Sequence, residues 1–408
     1  MISCAPAKRF PDKEEEEERI EREEKLEEKI TKPDFDFAEV RVLLNGLIPA
    51  EFLTIESKVY LFNQDSKVAL IKSGNTINCY ENYGKPRLTI NDENFDGEKF
   101  FLSSAESDGI IKVNGKRYRG KIQISSSGSS IEIINMLNLE DYVKGVLTRE
   151  MPLGKNEENL EALKALAICV RTYASQKVRD GKINFDLYAD TRDQVYGGVD
   201  AESPLSNKAA KETKNMILKY GKNDAIIFYH STCGGYTESS QNVFTKESIP
   251  YLTSVKDGSE PYCRISPRFE WTETYSKELI VGRLKTYSLL DNSNYRLDDI
   301  SILSRFDSGR VNEMEIKVVG NNGTKKSILI KGNEIRSILR TSDGKMVLWS
   351  NMFELSISSG DVVLNGKGFG HGVGLCQWGA IELSRKGWKY EEILNHYYPG
   401  TLVGGVND

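Results

Sequence analysis

The sequence predicts an α+β protein with mixed sheets, a small β-rich N-terminal module and a helix-containing core after it. Two observations carry this. Between residues 38 and 135, short β-branched and aromatic runs alternate with Gly, Asn, Asp and Ser clusters, the pattern of strands and turns. From Leu139 the apolar period becomes that of a helix, and helical periodicity returns at the C-terminus after a further set of strand-like runs.

Within the first module, Val40-Arg41-Val42-Leu43-Leu44, Val59-Tyr60-Leu61-Phe62, Lys121-Ile122-Gln123-Ile124 and Ile131-Glu132-Ile133-Ile134 read as strands, with no chemistry of their own. Leu139, Tyr142, Val143, Val146 and Leu147 then fall on one helical face. Pro152 stops that helix and pushes Met151 out of helical geometry, so Glu150 lies in or just after the last turn. A second helix is expected from about Glu157 to Val178, with Leu160, Leu163, Ala167, Val170 and Ala174 on one face. Strands are expected at Ala225–Tyr229, Ile300–Leu303, Met314–Val319, Lys326–Ile330, Met346–Leu348 and Val362–Leu364. Asp307-Ser308-Gly309-Arg310 and Asn321-Asn322-Gly323 mark turns. Helices close the chain at Leu375–Lys386 and Tyr390–His396.

At 408 residues, and at roughly 150 residues per domain, the chain has room for two or three units. The reading divides it into a lipoprotein-like start and charged stalk (1–34), a β-rich module (35–136) and a core (137–405) carrying a β-rich insertion at about 270–365. The composition, 39% hydrophobic and 28% charged, excludes a wholly disordered or fibrous chain. The net charge is −5, and Lys13 to Lys29, with ten Glu against five Lys or Arg, accounts for all of it. That run reads as a solvated helix or stalk. The neutral remainder lacks the basic footprint that nucleic acid requires. No apolar run approaches the roughly 20 residues of a membrane helix. Ile2-Ser3-Cys4-Ala5-Pro6 is similar to the end of a bacterial lipoprotein cleavage box, without the positive and apolar regions that should precede it. Membrane contact is therefore expected only through a lipid at Cys4.

Four features carry chemistry. Glu150 at a helix C-terminus faces the negative end of the backbone dipole, which favours its protonated form, as a general acid needs; the alternative is an exposed Glu at a helix end. Arg171 points along an apolar stripe, where a guanidinium must pair with carboxylates or line a cleft. Tyr229-His230-Ser231-Thr232-Cys233-Gly234-Gly235-Tyr236-Thr237-Glu238 follows a strand and offers His-x-x-Cys spacing, with Cys263 thirty residues on. Gly366-Lys367-Gly368-Phe369-Gly370-His371-Gly372-Val373-Gly374-Leu375-Cys376-Gln377-Trp378-Gly379-Ala380 is a glycine-rich loop entering a helix. Its spacing fits neither a phosphate loop nor a dinucleotide fingerprint, so nucleotide binding is excluded and a tight loop presenting His371 is expected.

In these blocks the chain resembles the SpoIID/LytB family, the stage II sporulation protein D-like lytic transglycosylases and amidase enhancers. Leu139-Glu140-Asp141-Tyr142-Val143-Lys144-Gly145-Val146 leads to Glu150-Met151-Pro152, and Glu161-Ala162-Leu163-Lys164-Ala165 leads to Arg171-Thr172-Tyr173-Ala174; the Cys233 and His371 blocks follow in order, so the likeness covers about residues 38–405. The resemblance implies peptidoglycan chemistry. Glu150 corresponds to the family's catalytic acid, cleaving bonds between N-acetylmuramic acid and N-acetylglucosamine in peptide-stripped glycan strands and leaving 1,6-anhydro ends. Arg171, Tyr173, Gln194, Tyr196, Ser231 and His371 are the expected substrate-binding residues. Glycan strands and a cell-wall amidase are the implied partners, and the cell envelope the implied location. A non-catalytic wall-binding protein that enhances an amidase is the competing function, whereas a role in sporulation does not follow from sequence.

One departure concerns metal. Some members carry zinc on a His/Cys pattern in a segment that here reads Phe185-Asp186-Leu187-Tyr188-Ala189-Asp190-Thr191-Arg192-Asp193-Gln194-Val195-Tyr196. Tyr188, Arg192 and Asp193 stand where ligands would be, so zinc cannot bind there, and an Arg192–Asp193 ion pair is the expected substitute. The lyase chemistry requires no cofactor. Elsewhere three readings stay open: His230, Cys233, Cys263 and Cys376 as a structural zinc site, a Cys233–Cys263 disulfide, or free buried thiols. Cys79 and Cys169 read as core.

Overall fold

The computed structural model describes residues 39–181, 183–358 and 360–406. Cys4 and the acidic run lie outside the described residues.

Alternation in the N-terminal segments builds two sheets. A seven-stranded sheet runs in the order Leu187–Tyr188, Glu39–Leu43, Ser130–Asn138, Lys121–Ser127, Phe100–Ser104, Val59–Asn63 and Ser66–Ile71. A four-stranded sheet, Phe52–Thr54, Thr76–Asn82, Lys85–Ile90 and Glu93–Asp96, lies beside it. Glu39–Leu43 pairs antiparallel with Ser130–Asn138 and parallel with Leu187–Tyr188, so it joins the β-rich segment to the loop that follows the second helix.

Helix α1 spans Leu139–Glu150 and starts directly off a strand. The Asn138 side chain caps it by accepting the Glu140 N–H, and Glu140 and Asp141 place negative charge in its first turn. Met151 ends it in extended geometry before Pro152. Helix α2, Leu160–Arg179, starts three residues later than its periodicity predicts; Asn159 spends its amide on the Pro152 carbonyl, 3.0 Å away, and folds the intervening loop against the end of α1. Helix α3, Pro204–Glu212, carries a Ser203–Ser206 capping box.

Tyr229–His230 and Leu375–Cys376 form a two-stranded parallel pair. The expected strand at Ala225–Tyr229 shrinks to this pair, because residues 225–228 divide their hydrogen bonds among several elements: Ala225 N donates to the Leu218 carbonyl, Ile226 N to Tyr251 Oη, and the Phe228 carbonyl accepts from Leu375 N and Tyr398 Oη. Between the two paired segments lies the insertion. Its ends meet where Glu270 pairs with Lys367. It contains helices α4 (Lys277–Thr286) and α5 (Glu334–Leu339) and two three-stranded sheets. Tyr275, Leu284, Leu297, Met314, Ile316 and Leu364 form a hydrophobic core separate from the one shared by the rest of the chain. Met346–Leu348 is not a strand; the Leu348 carbonyl instead accepts from Arg336 Nε.

Helices α6 (Gln377–Arg385) and α7 (Tyr390–Tyr397) close the structure, with Leu375–Cys376 as strand rather than the start of α6. Ala380, Ile381 and Leu383 of α6 and Leu163, Ala167 and Val170 of α2 belong to one buried cluster. The glycine-rich segment thereby arrives beside α1 and α2.

Candidate active site

Leu139, Tyr142, Val143, Val146, Leu147 and Glu150 all lie on the buried side of α1. Eleven residues bring a helix back to nearly the same direction, so Glu150 continues the stripe that Leu139 begins. Glu150 is 4% exposed. Oε1 accepts the Val195 N–H at 2.8 Å, and Oε2 accepts a long bond from Gln377 Nε2 at 3.4 Å. Burial pushes the Glu150 pKa up to about 7, outweighing these two donors, which lower it. The C-terminal end of the helix dipole acts in the same direction as burial. Glu150 is thus a carboxylic acid that exchanges its proton near neutrality.

Three tyrosine- and glutamine-bearing segments surround it. Tyr142 Oη donates to Gln194 Oε1 at 3.0 Å. Gln194 Nε2 and Tyr229 Oη are buried, and neither has a well-aligned hydrogen-bond partner among the described residues. Tyr142 and Tyr229 both lie within electrostatic reach of Glu150, which with burial holds their hydroxyls protonated. Gln194 also lies within hydrogen-bonding reach of the Tyr229 hydroxyl, so these polar groups gather on the side of Gln194 that faces Tyr229.

Arg171 is not part of a cleft. It is completely buried, and its Nε and Nη2 grip Glu140 Oε1 and Oε2, each at 2.8 Å, while Nη1 donates to the Met216 carbonyl at 2.9 Å. This forked pair ties α1, α2 and the strand Met216–Tyr220 together, so the expectation of substrate contact is corrected to a structural strut. Tyr196 is likewise core: its ring stacks on Tyr142 at 5.3 Å and its hydroxyl donates to Asn135. Tyr173 donates to Asp193 Oδ1 at 2.6 Å, and Asp193 Oδ2 accepts from Tyr188 N, so Tyr173 braces the loop that delivers Val195 to Glu150. The expected Arg192–Asp193 ion pair does not form. Arg192 pairs with Asp190 at 2.6 Å and lies over the Tyr188 ring, because Asp193 is turned inward to Tyr173.

His371 is also committed to main chain. Its Nδ1 accepts the Val373 N–H at 3.1 Å, which leaves Nε2 to donate to the Tyr229 carbonyl at 2.9 Å. Burial drives its pKa down to about 3, so it stays neutral. It thereby ties the glycine-rich turn before Leu375–Cys376 to the Tyr229–His230 segment. Ser231 is buried against Thr232, with Oγ to Oγ1 at 3.1 Å. Beneath the same loop, Arg310 reaches out of the insertion and donates to the Tyr236 and Cys233 carbonyls at 2.8 and 2.6 Å. A Cβ at Gly372 would sit 2.5 Å from the Arg310 guanidinium, so only glycine leaves it room.

Cys233, Cys263 and Cys376 do come together, but their fourth neighbour is Asp257, not His230. One donor atom from each of the four lies within 4.8 Å of the others. The Cys233 and Cys263 sulfurs are 3.4 Å apart, well beyond a disulfide bond. His230 turns its Nδ1 to the Val373 carbonyl instead. Cys79 and Cys169 are buried in the main core.

Sequence reasoning missed Gln377, the Val195 amide, Tyr142, Tyr229 and Asp257. Gln377 stood within the glycine-rich block, directly after Cys376, and was legible there. Asp257 carried no signal, since Asp257-Gly258 reads as an ordinary turn.

Comparison with known proteins places this architecture. The family model described as SpoIID, stage II sporulation protein, matches residues 127–220, and one for a domain of unknown function matches residues 264–374. The chain is 30% identical over 294 residues to stage II sporulation protein D of Bacillus amyloliquefaciens, covering 68% of this chain and 76% of that protein. It belongs to the stage II sporulation protein D family. A second relative, the amidase enhancer of Bacillus subtilis, is 31% identical over 372 residues, which cover 82% of this chain and 50% of that protein. An uncharacterized protein of Brachyspira hyodysenteriae is 30% identical over 352 residues, 86% of this chain and 88% of its own length. The SpoIID match contains α1, α2 and α3, and with them Glu150, the Arg171–Glu140 strut and the Val195 loop.

Proposed function

We propose that this protein is a peptidoglycan lytic transglycosylase acting outside the cytoplasm, with Glu150 as acid and then base. The observation that carries the reading is the buried Glu150 carboxyl at the end of α1, touched by the Val195 N–H and Gln377, in a setting whose burial favours the protonated form. Glycosidases that use water work with two carboxylates. A lyase needs one. Protonated Glu150 gives its proton to the bridging oxygen between N-acetylmuramic acid and N-acetylglucosamine as the C1–O bond breaks. The substrate's acetamido oxygen stabilises C1. The Glu150 carboxylate then takes the proton of the C6 hydroxyl as that oxygen bonds to C1, closing a 1,6-anhydro ring and restoring the acid. No water is consumed. Gln194 Nε2 and Tyr229 Oη are the groups available to orient the acetamido carbonyl and ring hydroxyls.

The test is incubation of purified protein with peptide-stripped glycan strands and mass analysis for 1,6-anhydromuramyl ends. The parent should produce them, and Glu150→Gln should lose about a thousandfold or more while remaining folded. Absence of such ends with the parent overturns the reading. A second reading, a wall-binding protein that enhances an amidase, is favoured by the likeness to the B. subtilis amidase enhancer. It predicts that Glu150→Gln still binds wall and still stimulates. The lipid anchor at Cys4 remains a proposal, checked by intact mass of protein from the membrane fraction of cells expressing the native gene.

A further inference from the structure

We propose that Cys233, Cys263, Cys376 and Asp257 form a structural tetrahedral zinc site that pins the start of α6. Each of the four side chains is fully buried. Zinc takes thiolate sulfur at about 2.3 Å and carboxylate oxygen at about 2.1 Å, which places tetrahedral donors roughly 3.6–3.8 Å apart. The donor atoms here lie within 4.8 Å of one another, and Cys233 Sγ and Cys263 Sγ are at 3.4 Å. Three thiols and a carboxyl gathered out of water are a donor set of the type and number that a four-coordinate zinc ion takes.

The surroundings fit ligands rather than loose core residues. The Cys233 N–H donates to Cys376 Sγ at 3.2 Å, and the Gly235 N–H donates back to Cys233 Sγ at 3.4 Å. Such N–H donors favour thiolate. Asp257 is oriented from both sides: Tyr397 Oη donates to Oδ1 at 2.6 Å and the Cys263 N–H to Oδ2 at 2.9 Å. A carboxylate oxygen accepting one hydrogen bond keeps a second lone pair for a metal, and an oriented outer partner is what metal ligands have. Gly379 leaves the space this needs, since a Cβ there would lie 1.9 Å from Tyr397 Oη and 2.7 Å from Asp257 Oδ1.

The site would cross-link three remote segments: the turn after Tyr229–His230, the short helix Tyr262–Ile265, and the N-cap of α6. Cys376 is that N-cap, and the next residue, Gln377, reaches Glu150. The ion would touch no substrate; it would act by holding Gln377 in register. That last consequence rests on the proposed role of Glu150, whereas the site itself does not.

The test needs no glycan and so is independent of the lyase reading. Full-length protein is purified under reducing conditions, its zinc is measured by elemental analysis, and the metal is exchanged for cobalt. One zinc per chain is expected, with the intense thiolate-to-cobalt charge transfer and tetrahedral ligand-field bands of a three-sulfur site. Asp257→Asn should retain cobalt with altered bands, and Cys263→Ser should lose most of the metal and of the charge-transfer intensity. A folded parent that contains no metal, takes up no cobalt and shows titratable thiols overturns the proposal, as does a native Cys233–Cys263 disulfide found by peptide mass mapping. If Cys263→Ser fails to fold, the metal content and cobalt spectrum of the parent still decide.

Discussion

Replacing Glu150 with Gln should make the protein more stable, and by an amount that depends on pH. The ordinary Glu pKa is 4.5, and in the folded protein burial raises it to about 7. Each pKa unit is worth about 1.4 kcal/mol, so the gap corresponds to roughly 3 kcal/mol. The sign follows from linkage. Below about pH 4.5 both folded and unfolded chains hold the proton, and Glu150 is no worse than Gln. Between about 4.5 and 7 the unfolded chain has released it while the folded chain keeps it, so folding stability falls as pH rises. Above about 7 the full cost of a buried carboxylate is present. Glu150→Gln is isosteric and removes that cost. Thermal unfolding of parent and variant, followed from pH 4 to pH 9, should show coincident midpoints at the acid end. At the alkaline end the variant should lead by several degrees, at roughly 2 °C per kcal/mol for a body this large. A pH-independent difference, or a variant less stable at pH 8, would refute the argument that Glu150 is desolvated and with it the assignment of a proton-holding acid.

The other expectations concern how the acid is held. Arg171→Ala leaves Glu140 buried and unpaired and should cost about 3–5 kcal/mol in denaturant midpoint experiments; Arg171→Lys should recover little, because an ammonium cannot reproduce the fork. Gln377→Ala removes a donor that lowers the Glu150 pKa, so the alkaline limb of any glycan-cleavage pH profile should move to higher pH; an unmoved or acid-shifted limb would show that the 3.4 Å contact is not made in solution. Gly374 has φ +70°, and a Cβ there would lie 2.0 Å from the Phe228 carbonyl oxygen, so Gly374→Ala should lower stability by about 2 kcal/mol or more, read by thermal melting.

Much of the scaffold around Glu150 was legible in the residues. The stripe from Leu139 to Leu147, followed by Pro152, located the end of α1 within one residue, because a proline and an apolar period are local signals. Arg171 shows where legibility stopped. Its place on an apolar stripe left two outcomes open, a carboxylate partner or a cleft, and nothing local said that Glu140, from another helix, would take both nitrogens. The same holds for Tyr173, Tyr196 and His371, whose hydrogen bonds go to Asp193, Asn135 and main chain through contacts set only by tertiary packing. Motif membership identified them, but packing assigned their work. Asp257 is the clearest omission: three cysteines announce themselves by type, whereas an aspartate before a glycine looks like any turn until the chain folds it against Tyr397.

The insertion hangs from one stem, where Glu270 meets Lys367, yet it is not a detachable ornament. The Arg310 guanidinium leaves it and fills the hollow that Gly372 vacates, satisfying two carbonyls on the opposite side, and Ser308 Oγ donates across to Glu238. Trimming the appendage would open a void and strand those oxygens. A homologue that had lost it should therefore bear a bulkier, hydrogen-donating residue at the position of Gly372, so the two losses would be inherited together.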